Sequence, residues 1–357
     1  MRGSWCCAGA CWRLHRVIMT NMTKRQSSLR GVNFGGWLIV EKWLTPGLFE
    51  DQTAIDEWGL SQTKRGKRLI TDHRDQFITE SDFQWCQAHS ITLIRLPVGY
   101  WLFDAIDGFV PQQHWVDWAF AMAEKYDLSI LLDVHGVRGS QNGNEHSGRA
   151  GAIEWLEYAD QTMQLLDAIA ERYGHRPALW GIELLNEPDS NIEPAVLTSF
   201  YRTAYDVLVP RLQHGTYIVF HDSFRPFAFN GAIKAVATHP VIMDVHWYLF
   251  SSASARFLPT AVLLKIVGLT YRVRLYWLQR RQPVIVGEWS SVLPQALFDR
   301  APQARHNALL RSVVAMQERV YAHATASMYW NYKAEGRGMW NYRALVDDGI
   351  IESKVTE

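Results

Sequence analysis

From about residue 29 onward, short runs of consecutive apolar residues recur along the chain. Each is followed by a longer stretch in which apolar positions return every three or four residues. An apolar run bounded by turn formers reads as a strand buried on both faces, and the longer spacing reads as an amphipathic helix. Eight runs fit the first description: Gly31–Phe34, Thr92–Pro97, Ser129–His135, Leu179–Asn186, Thr216–His221, Val241–His246, Pro283–Glu288 and Ala326–Trp330. The helical pattern is best developed over His73–His89, Gln113–Tyr126, Ile153–Tyr173, Pro194–Gln213 and Pro302–His323. Strands and helices in this alternation predict an α/β fold, a closed (β/α)8 TIM barrel rather than an open doubly wound sheet. No Gly-x-Gly-x-x-Gly turn follows the first strand, so a dinucleotide site has little support.

Three connections read as loops: Leu44–Asp56, Gly99–Phe109 and the Gly-, Ser- and Asn-rich Gly136–Gly151. In such a barrel they leave the carboxyl ends of strands, where active sites are built. With no repeat or linker, residues 29–357 are expected to form a single catalytic domain, and residues 1–28 a tail outside it. Phe257 to Leu278 is strongly apolar, but Lys265, Arg272 and Arg274 keep it short of an uninterrupted membrane span of about 20 residues. It reads as a barrel helix with its basic residues in water. The less favoured alternative is an amphipathic surface that meets a membrane or admits a lipid-linked substrate.

Charge narrows the partners. The 357 residues carry 36 basic and 36 acidic side chains with a pI near 7.2, which lacks the basic footprint of a nucleic-acid binder and suits a neutral substrate. Sixteen Trp and 14 Tyr supply faces that stack on sugar rings, although most will be core. Of the cysteines only Cys86 lies in the body, beyond Cys6, Cys7 and Cys11, so the body forms no internal disulfide. Residues 1–18 are broken by Arg13, His15 and Arg16 and make a poor leader, with Met19 and Met22 just downstream as alternative starts. The expectation is a cytoplasmic monomer that needs no cofactor.

The chemistry lies in two glutamates at the ends of apolar runs: Glu187 in Gly181-Ile182-Glu183-Leu184-Leu185-Asn186-Glu187-Pro188, and Glu288 in Pro283-Val284-Ile285-Val286-Gly287-Glu288-Trp289. A carboxylate at the end of a buried strand is costly to desolvate unless it has partners or a task. Either alone reads equally well as a strand-end salt bridge. Together, on the fourth and seventh strands, they suit retaining glycoside cleavage, which needs carboxyl groups about 5–5.5 Å apart. Glu288 is expected to be held ionised by Arg95 and the Tyr248 hydroxyl, and Glu187 to have a raised pKa and be protonated at rest. Asn186 is placed to grip a sugar 2-hydroxyl. A metal hydrolase is the weaker reading: Asp133-x-His135 and Asp244-x-His246 could be ligands, yet no His-x-His ends the first strand and no Cys stands at a strand end.

Several motifs, in order, carry a resemblance. They are Arg30-Gly31-Val32-Asn33-Phe34-Gly35-Gly36-Trp37-Leu38, Glu41 with Trp43-Leu44-Thr45-Pro46, Arg95-Leu96-Pro97-Val98-Gly99-Tyr100-Trp101, and Asp133-Val134-His135-Gly136. Gly139-Ser140-Gln141-Asn142-Gly143, Asn186-Glu187-Pro188, Asp244-Val245-His246-Trp247-Tyr248, Gly287-Glu288-Trp289-Ser290 and Trp330 with Lys333 and Glu335 follow. In these the chain resembles family 5 glycoside hydrolases, and within them the exo-β-1,3-glucanase branch. The resemblance implies that Glu187 is the acid/base and Glu288 the nucleophile. It implies that Arg95, His135, Asn186, His246 and Tyr248 line the first subsite and that Asn142 binds substrate, with Trp330 as stacking platform and Glu41 gripping hydroxyls at the non-reducing end. It implies a β-glucan, oligosaccharide or glucoside as substrate. Two departures bear on the leaving group. Asn144-Glu145-His146 stands where that branch has Phe-Asp-Asn, which loosens the link to 1,3-linked glucan. The apolar 257–278 stretch replaces a more polar one, which favours an aryl, alkyl or lipid aglycone.

Overall fold

The computed structural model describes residues 28–50, 52–249, 259–299 and 302–353. The expected tail, apart from Ser28, and residues 257–258 of the apolar stretch lie outside the described residues. Strands β1 (Leu29–Asn33), β2 (Leu93–Gly99), β3 (Ser129–Gly136), β4 (Leu179–Glu183), β5 (Tyr217–His221), β6 (Val241–His246), β7 (Val284–Trp289) and β8 (Ala326–Tyr329) pair in chain order, all parallel. Leu29 faces Ala326 across the seam, so the sheet closes into the expected barrel. Each expected run becomes a strand. The fourth stops at Glu183 instead of Asn186, because the chain turns there to present Glu187.

The longer helices are α1 (Lys64–Phe77), α2 (Glu80–Ala88), α3 (Gln113–Lys125), α4 (Ala159–Tyr173), α5 (Pro194–Leu208), α6 (Thr260–Leu278) and α7 (His306–Tyr321). The helix expected over His73–His89 is two helices. Thr79 breaks it by donating its N–H to Asp82 Oδ2 at 2.8 Å, a helix-starting capping arrangement. Between β5 and β6 the helix shrinks to the four residues Pro226–Phe229.

Alternation along the strands separates two packing layers. Leu93, Leu131, Val219, Ile242, Ile285, Ala326 and Met328 fill the barrel interior. Ile94, Leu96, Val98, Ile130, Leu132 and Val134 point outward into the strand–helix core. Two residues further along, toward the carboxyl ends, the inward positions are Asn33, Arg95, Asp133, Glu183, His221 and Asp244, all fully buried. An apolar plug thus carries a polar layer above it, and the site is built on that layer.

The loop after β1, which carries Glu41, is pinned from outside. Arg74 of α1 donates through Nη2 to Glu57 Oε1 at 2.6 Å and to the Leu38 carbonyl at 2.5 Å. Glu57 Oε2 accepts the Val40 N–H at 2.9 Å. Both side chains are fully buried. Breaking such a pair on one side typically costs about 3–5 kcal/mol, so the loop's shape is strongly imposed.

Candidate active site

Arg95 organises the polar layer. Its Nε donates to Glu183 Oε2 at 2.7 Å, Nη1 to Glu288 Oε1 at 2.9 Å and to Asn33 Oδ1 at 3.1 Å, and Nη2 to Asn186 Oδ1 at 2.8 Å. Asp133 Oδ2 lies 3.1 Å from Nη2. A planar five-donor group is the one side chain that can hold so many acceptors in fixed directions. Burial works against its charge, and Asp133, Glu183 and Glu288 more than restore it, so the pKa of Arg95 lies well above the ordinary value.

Glu288 reaches this layer through an irregularity in β7. The register slips between Val245 and His246, so that His246 faces Glu288. Gly287 sits at the slip and donates its N–H to Asp244 Oδ1 at 2.6 Å. A Cβ there would stand 1.8 Å from Asp244 Oδ2, so only glycine permits the approach. Tyr248 donates to Glu288 Oε2 at 2.6 Å, as expected, and burial raises the phenol pKa far above its usual value, which keeps it a donor.

Glu187 is delivered by a turn beyond β4. Its φ is +42°, a left-handed conformation that side-chain-bearing residues rarely adopt and that is concentrated at functional sites. The loop after β3 holds the turn from outside: Gln141 Nε2 donates to the Asn186 carbonyl at 2.9 Å and Asn142 Nδ2 to the Glu187 carbonyl at 3.1 Å. Asn142 Oδ1 accepts the Asn144 N–H at 3.0 Å. Expected to touch sugar, Asn142 instead holds main chain with both ends of its amide, and the pocket wall does not include it.

His246 spans the two carboxyl groups. Its Nδ1 is 2.6 Å from Glu187 Oε1 and 3.5 Å from Glu288 Oε2. Laid end to end, these distances keep the facing oxygens within reach of the about 5–5.5 Å of retaining pairs.

Ionisation departs from expectation. Burial pushes the Glu187 carboxyl up, but His246, His146 and His221 together outweigh it and hold the group below the ordinary carboxylate range. Burial likewise raises Glu288, Glu187 adds to the push, and His246, Arg95 and Tyr248 only partly oppose it. The expected raised pKa for Glu187 and lowered one for Glu288 are therefore both corrected: Glu187 is lowered and Glu288 raised. For Glu288 the cause is burial together with the Glu187 charge, and for Glu187 it is chiefly His246: burial disfavours the charged form of that ring, yet Glu288, Asp244 and Glu187 raise its pKa well above the usual imidazole value. These opposed shifts favour the proton on the His246 ring over the Glu187 carboxyl.

The other expected residues gather around this centre. His135 donates through Nδ1 to Asp133 at 2.6 Å, and burial lowers its pKa despite that partner. It is thus neutral, with Nε2 left as an acceptor. Its ring stacks on Trp330 with centroids 5.5 Å apart and planes 8° from parallel. Glu41 lines the pocket and accepts the Trp43 indole N–H at 3.0 Å. Burial, with Glu288 nearby, pushes its pKa up to about 8. Asn186 and Arg95 lie fully buried beneath the pocket surface.

The cavity measures about 570 Å³. Sequence reasoning did not single out as site residues His146, whose Nε2 is 3.6 Å from Glu187 Oε2, nor the lining residues Trp340, Phe224, Pro226, Tyr271 and Arg274. His146 carried a signal, standing at a departure inside a polar loop. Tyr271 and Arg274 fall in the apolar 257–278 stretch, whose departure already pointed to the leaving group, and Trp340, Phe224 and Pro226 lie on connections whose course only the fold reveals.

Glu187, His221 and His246 stand close enough to share a cation. However, His221 Nδ1 accepts the Ser223 N–H at 3.0 Å, and burial lowers the ring's pKa far below its usual value. A neutral ring so bonded carries its own proton on Nε2 and has no free lone pair to offer. The donor set of Glu187, His221 and His246 does not fit a metal.

A sequence model of the cellulase family, glycosyl hydrolase family 5, matches residues 61–336. The "Probable glucan 1,3-beta-glucosidase A" of Aspergillus terreus is 31% identical over 90% of this chain and 87% of its own length. The "Glucan 1,3-beta-glucosidase 1" of Schizosaccharomyces pombe is 26% identical over 92% of this chain and 89% of its own. In fold, the chain is similar to the rutinosidase of Aspergillus niger, with a TM-score of 0.75 at 20% identity over 91% of this chain and 98% of that one. It is also similar to the Cel5A of Thermotoga maritima, at 0.58 and 16% over 90% and 97%.

Proposed function

The chain belongs to glycosyl hydrolase family 5, and from that premise we propose that it is a retaining exo-β-glucosidase of the 1,3-glucan type, with Glu288 as nucleophile and Glu187 as acid/base. In the first step a Glu288 oxygen bonds to the anomeric carbon as the glycosidic C–O bond breaks, and Glu187 gives the leaving oxygen a proton. In the second, Glu187 takes a proton from water, whose oxygen displaces Glu288 and restores the starting anomer. The observation that supports this most directly is His246 Nδ1 within 2.6 Å of Glu187 and 3.5 Å of Glu288, which brings both carboxyls within reach of a single anomeric carbon.

The proton for the first step comes from His246. When a sugar excludes water from the pocket, separated charges become more expensive. The proton then passes along the 2.6 Å hydrogen bond from Nδ1 to Glu187 Oε1, leaving a neutral ring beside a neutral acid. Forming the glycosyl ester removes the charge of Glu288, which makes it easier for Glu187 to part with its proton and serve as base. Glu41, with a pKa of about 8, is protonated at neutral pH and donates to a sugar hydroxyl.

Incubation with a slow 2-deoxy-2-fluoro-β-glucoside tests the assignment. The peptide containing Glu288 is expected to gain one fluoroglucosyl mass, and the product of a turned-over substrate to keep its β-anomer. A label on another residue, or an inverted product, would sink it. A second reading, a glucosidase for aryl or lipid aglycones, is favoured by the apolar wall of Phe224, Pro226 and Tyr271 and by Asn144 in place of an aromatic residue. The ratio of kcat/KM for laminaribiose to that for a lipid glucoside separates the two.

A further inference from the structure

A barrel helix normally turns its apolar stripe inward and a polar face to water. The α6 helix does not. Leu263, Gly268, Leu275 and Leu278 are buried on its inner side. On the outer side Val262, Ile266, Leu269 and Trp277 are 42%, 49%, 55% and 53% exposed. Their spacing places these four on one face. Among the described residues, α1, α2, α3, α4 and α7 expose no large apolar side chain. The same segment is electrically one-sided. Between residues 250 and 282 the sequence has Arg256, Lys265, Arg272, Arg274, Arg280 and Arg281 and no Asp or Glu, in a chain whose charges balance at 36 each. Lys265, Arg274 and Arg280 are exposed, and Arg280 lies over the Trp277 ring at 5.6 Å. No described helix is long and apolar enough to cross a membrane.

An apolar stripe that contains Trp, on a helix whose charged residues are all cations, is the chemistry of a helix lying in the plane of a membrane interface, with apolar side chains dipped among acyl chains and cations at the phosphates. A second copy of the chain is a poor occupant, because a two-fold contact would set these cations against themselves. The position on the barrel is also apt. Tyr271 and Arg274 of α6 line the active-site pocket, and Phe224, 53% exposed, lines it too. We propose that the outer face of α6 docks the enzyme on an anionic lipid bilayer, with the pocket mouth beside the headgroup layer.

Co-sedimentation of the full chain with phosphatidylcholine vesicles, with and without about one-third phosphatidylglycerol, tests this directly, and it does not depend on turnover. Binding to the anionic vesicles is expected to be at least tenfold tighter and to weaken in high salt. Ile266→Ser/Leu269→Ser/Trp277→Ser should abolish it. Lys265→Glu/Arg280→Glu should weaken it tenfold or more, since each cation near such a surface contributes about 1 kcal/mol. The charge variant alters only solvated side chains, so it carries the test if the serine variant fails to fold, and its hydrolysis of a soluble aryl β-glucoside should match the parent. Failure to bind either vesicle would overturn the proposal, as would undiminished binding by both variants. So would a lipid-free dimer, seen by sedimentation velocity, that these substitutions dissociate.

Discussion

His246 holds its Nδ1 2.6 Å from Glu187 Oε1, so the ring that carries a proton and the carboxyl that must deliver one form a single hydrogen-bonded pair. Neither residue titrates independently at that distance, and the pair has one proton to give. Its behaviour is set from both ends. Asp244 Oδ2 stands 3.5 Å from His246 Nε2, and His146 approaches the far oxygen of Glu187 at 3.6 Å.

Replacing His246 with Asn leaves Glu187 to titrate alone. Burial raises a lone carboxyl, but from a far lower start than an imidazolium whose pKa is already above its usual value. The alkaline limb of kcat/KM for an unactivated glucoside should therefore move to lower pH. Turnover should drop about 10²-fold, toward the low end for losing an acid catalyst. An unchanged limb would separate His246 from the acid step.

The two carboxyls should separate by leaving group. Glu288→Ala removes the attacking atom, and turnover of every substrate should fall by about 10⁴-fold or more. Glu187→Ala should slow laminaribiose by about 10²–10⁴-fold, while a dinitrophenyl glucoside, whose leaving group needs no proton, should form the glycosyl ester at nearly the parental rate. Pre-steady-state burst measurements on both substrates check this. Equal losses on both for Glu187→Ala would contradict its role.

Glu41 gives a second pH signature. Burial holds its pKa at about 8, so it is a donor below that pH and a buried anion near Glu288 above it. In the parent enzyme kcat/KM should decline as pH rises through about 8, and Glu41→Gln, which keeps a donor, should push the decline to higher pH. Stability follows the same sign. A carboxyl whose pKa is raised on folding contributes fully below its ordinary value of 4.5, and that contribution is lost as pH climbs through about 8. Glu41→Gln should therefore raise the thermal midpoint relative to the parent more at alkaline than at neutral pH. The two midpoints compared across pH give the answer.

Much of this was legible in the chain itself. Strands buried on both faces leave uninterrupted apolar runs, so all eight appear in the sequence, and Glu288, Arg95 and His135 follow as inward residues near strand ends. The break at Thr79 was hidden because the apolar spacing continues across it, while the hydrogen bond to Asp82 that ends the pattern is local. Glu187 reads as directly following a strand that runs to Asn186, since nothing in Leu184-Leu185-Asn186 announces a φ of +42°. Asn142 looked like a sugar ligand because its partners are carbonyl and amide groups contributed by folding, including one 45 residues away. The division of protons was out of reach for the same reason. It depends on His246 standing 2.6 Å from one acid and 3.5 Å from the other, a geometry that depends on the slipped register of β6 and β7.

That slip makes Gly287 the most restrictive position near the site that bears no chemistry of its own. An added methyl would meet Asp244 Oδ2 at 1.8 Å, and the carboxylate cannot withdraw freely, since its other oxygen accepts the Gly287 N–H at 2.6 Å and it also faces His246. Gly287→Ala must therefore push β7 away from β6 or rotate Asp244 out of its hydrogen bond. Either movement carries Glu288 with it, and displacements of about 1 Å at a reacting group can lower turnover by about 10²-fold. Overpacking of this kind also costs about 1–3 kcal/mol of stability. A denaturant titration should show that loss, and kcat should fall while KM changes little. Full activity at parental stability would mean that the β6–β7 register is softer than its hydrogen bonds suggest, and the placement of Glu288 would then need another cause.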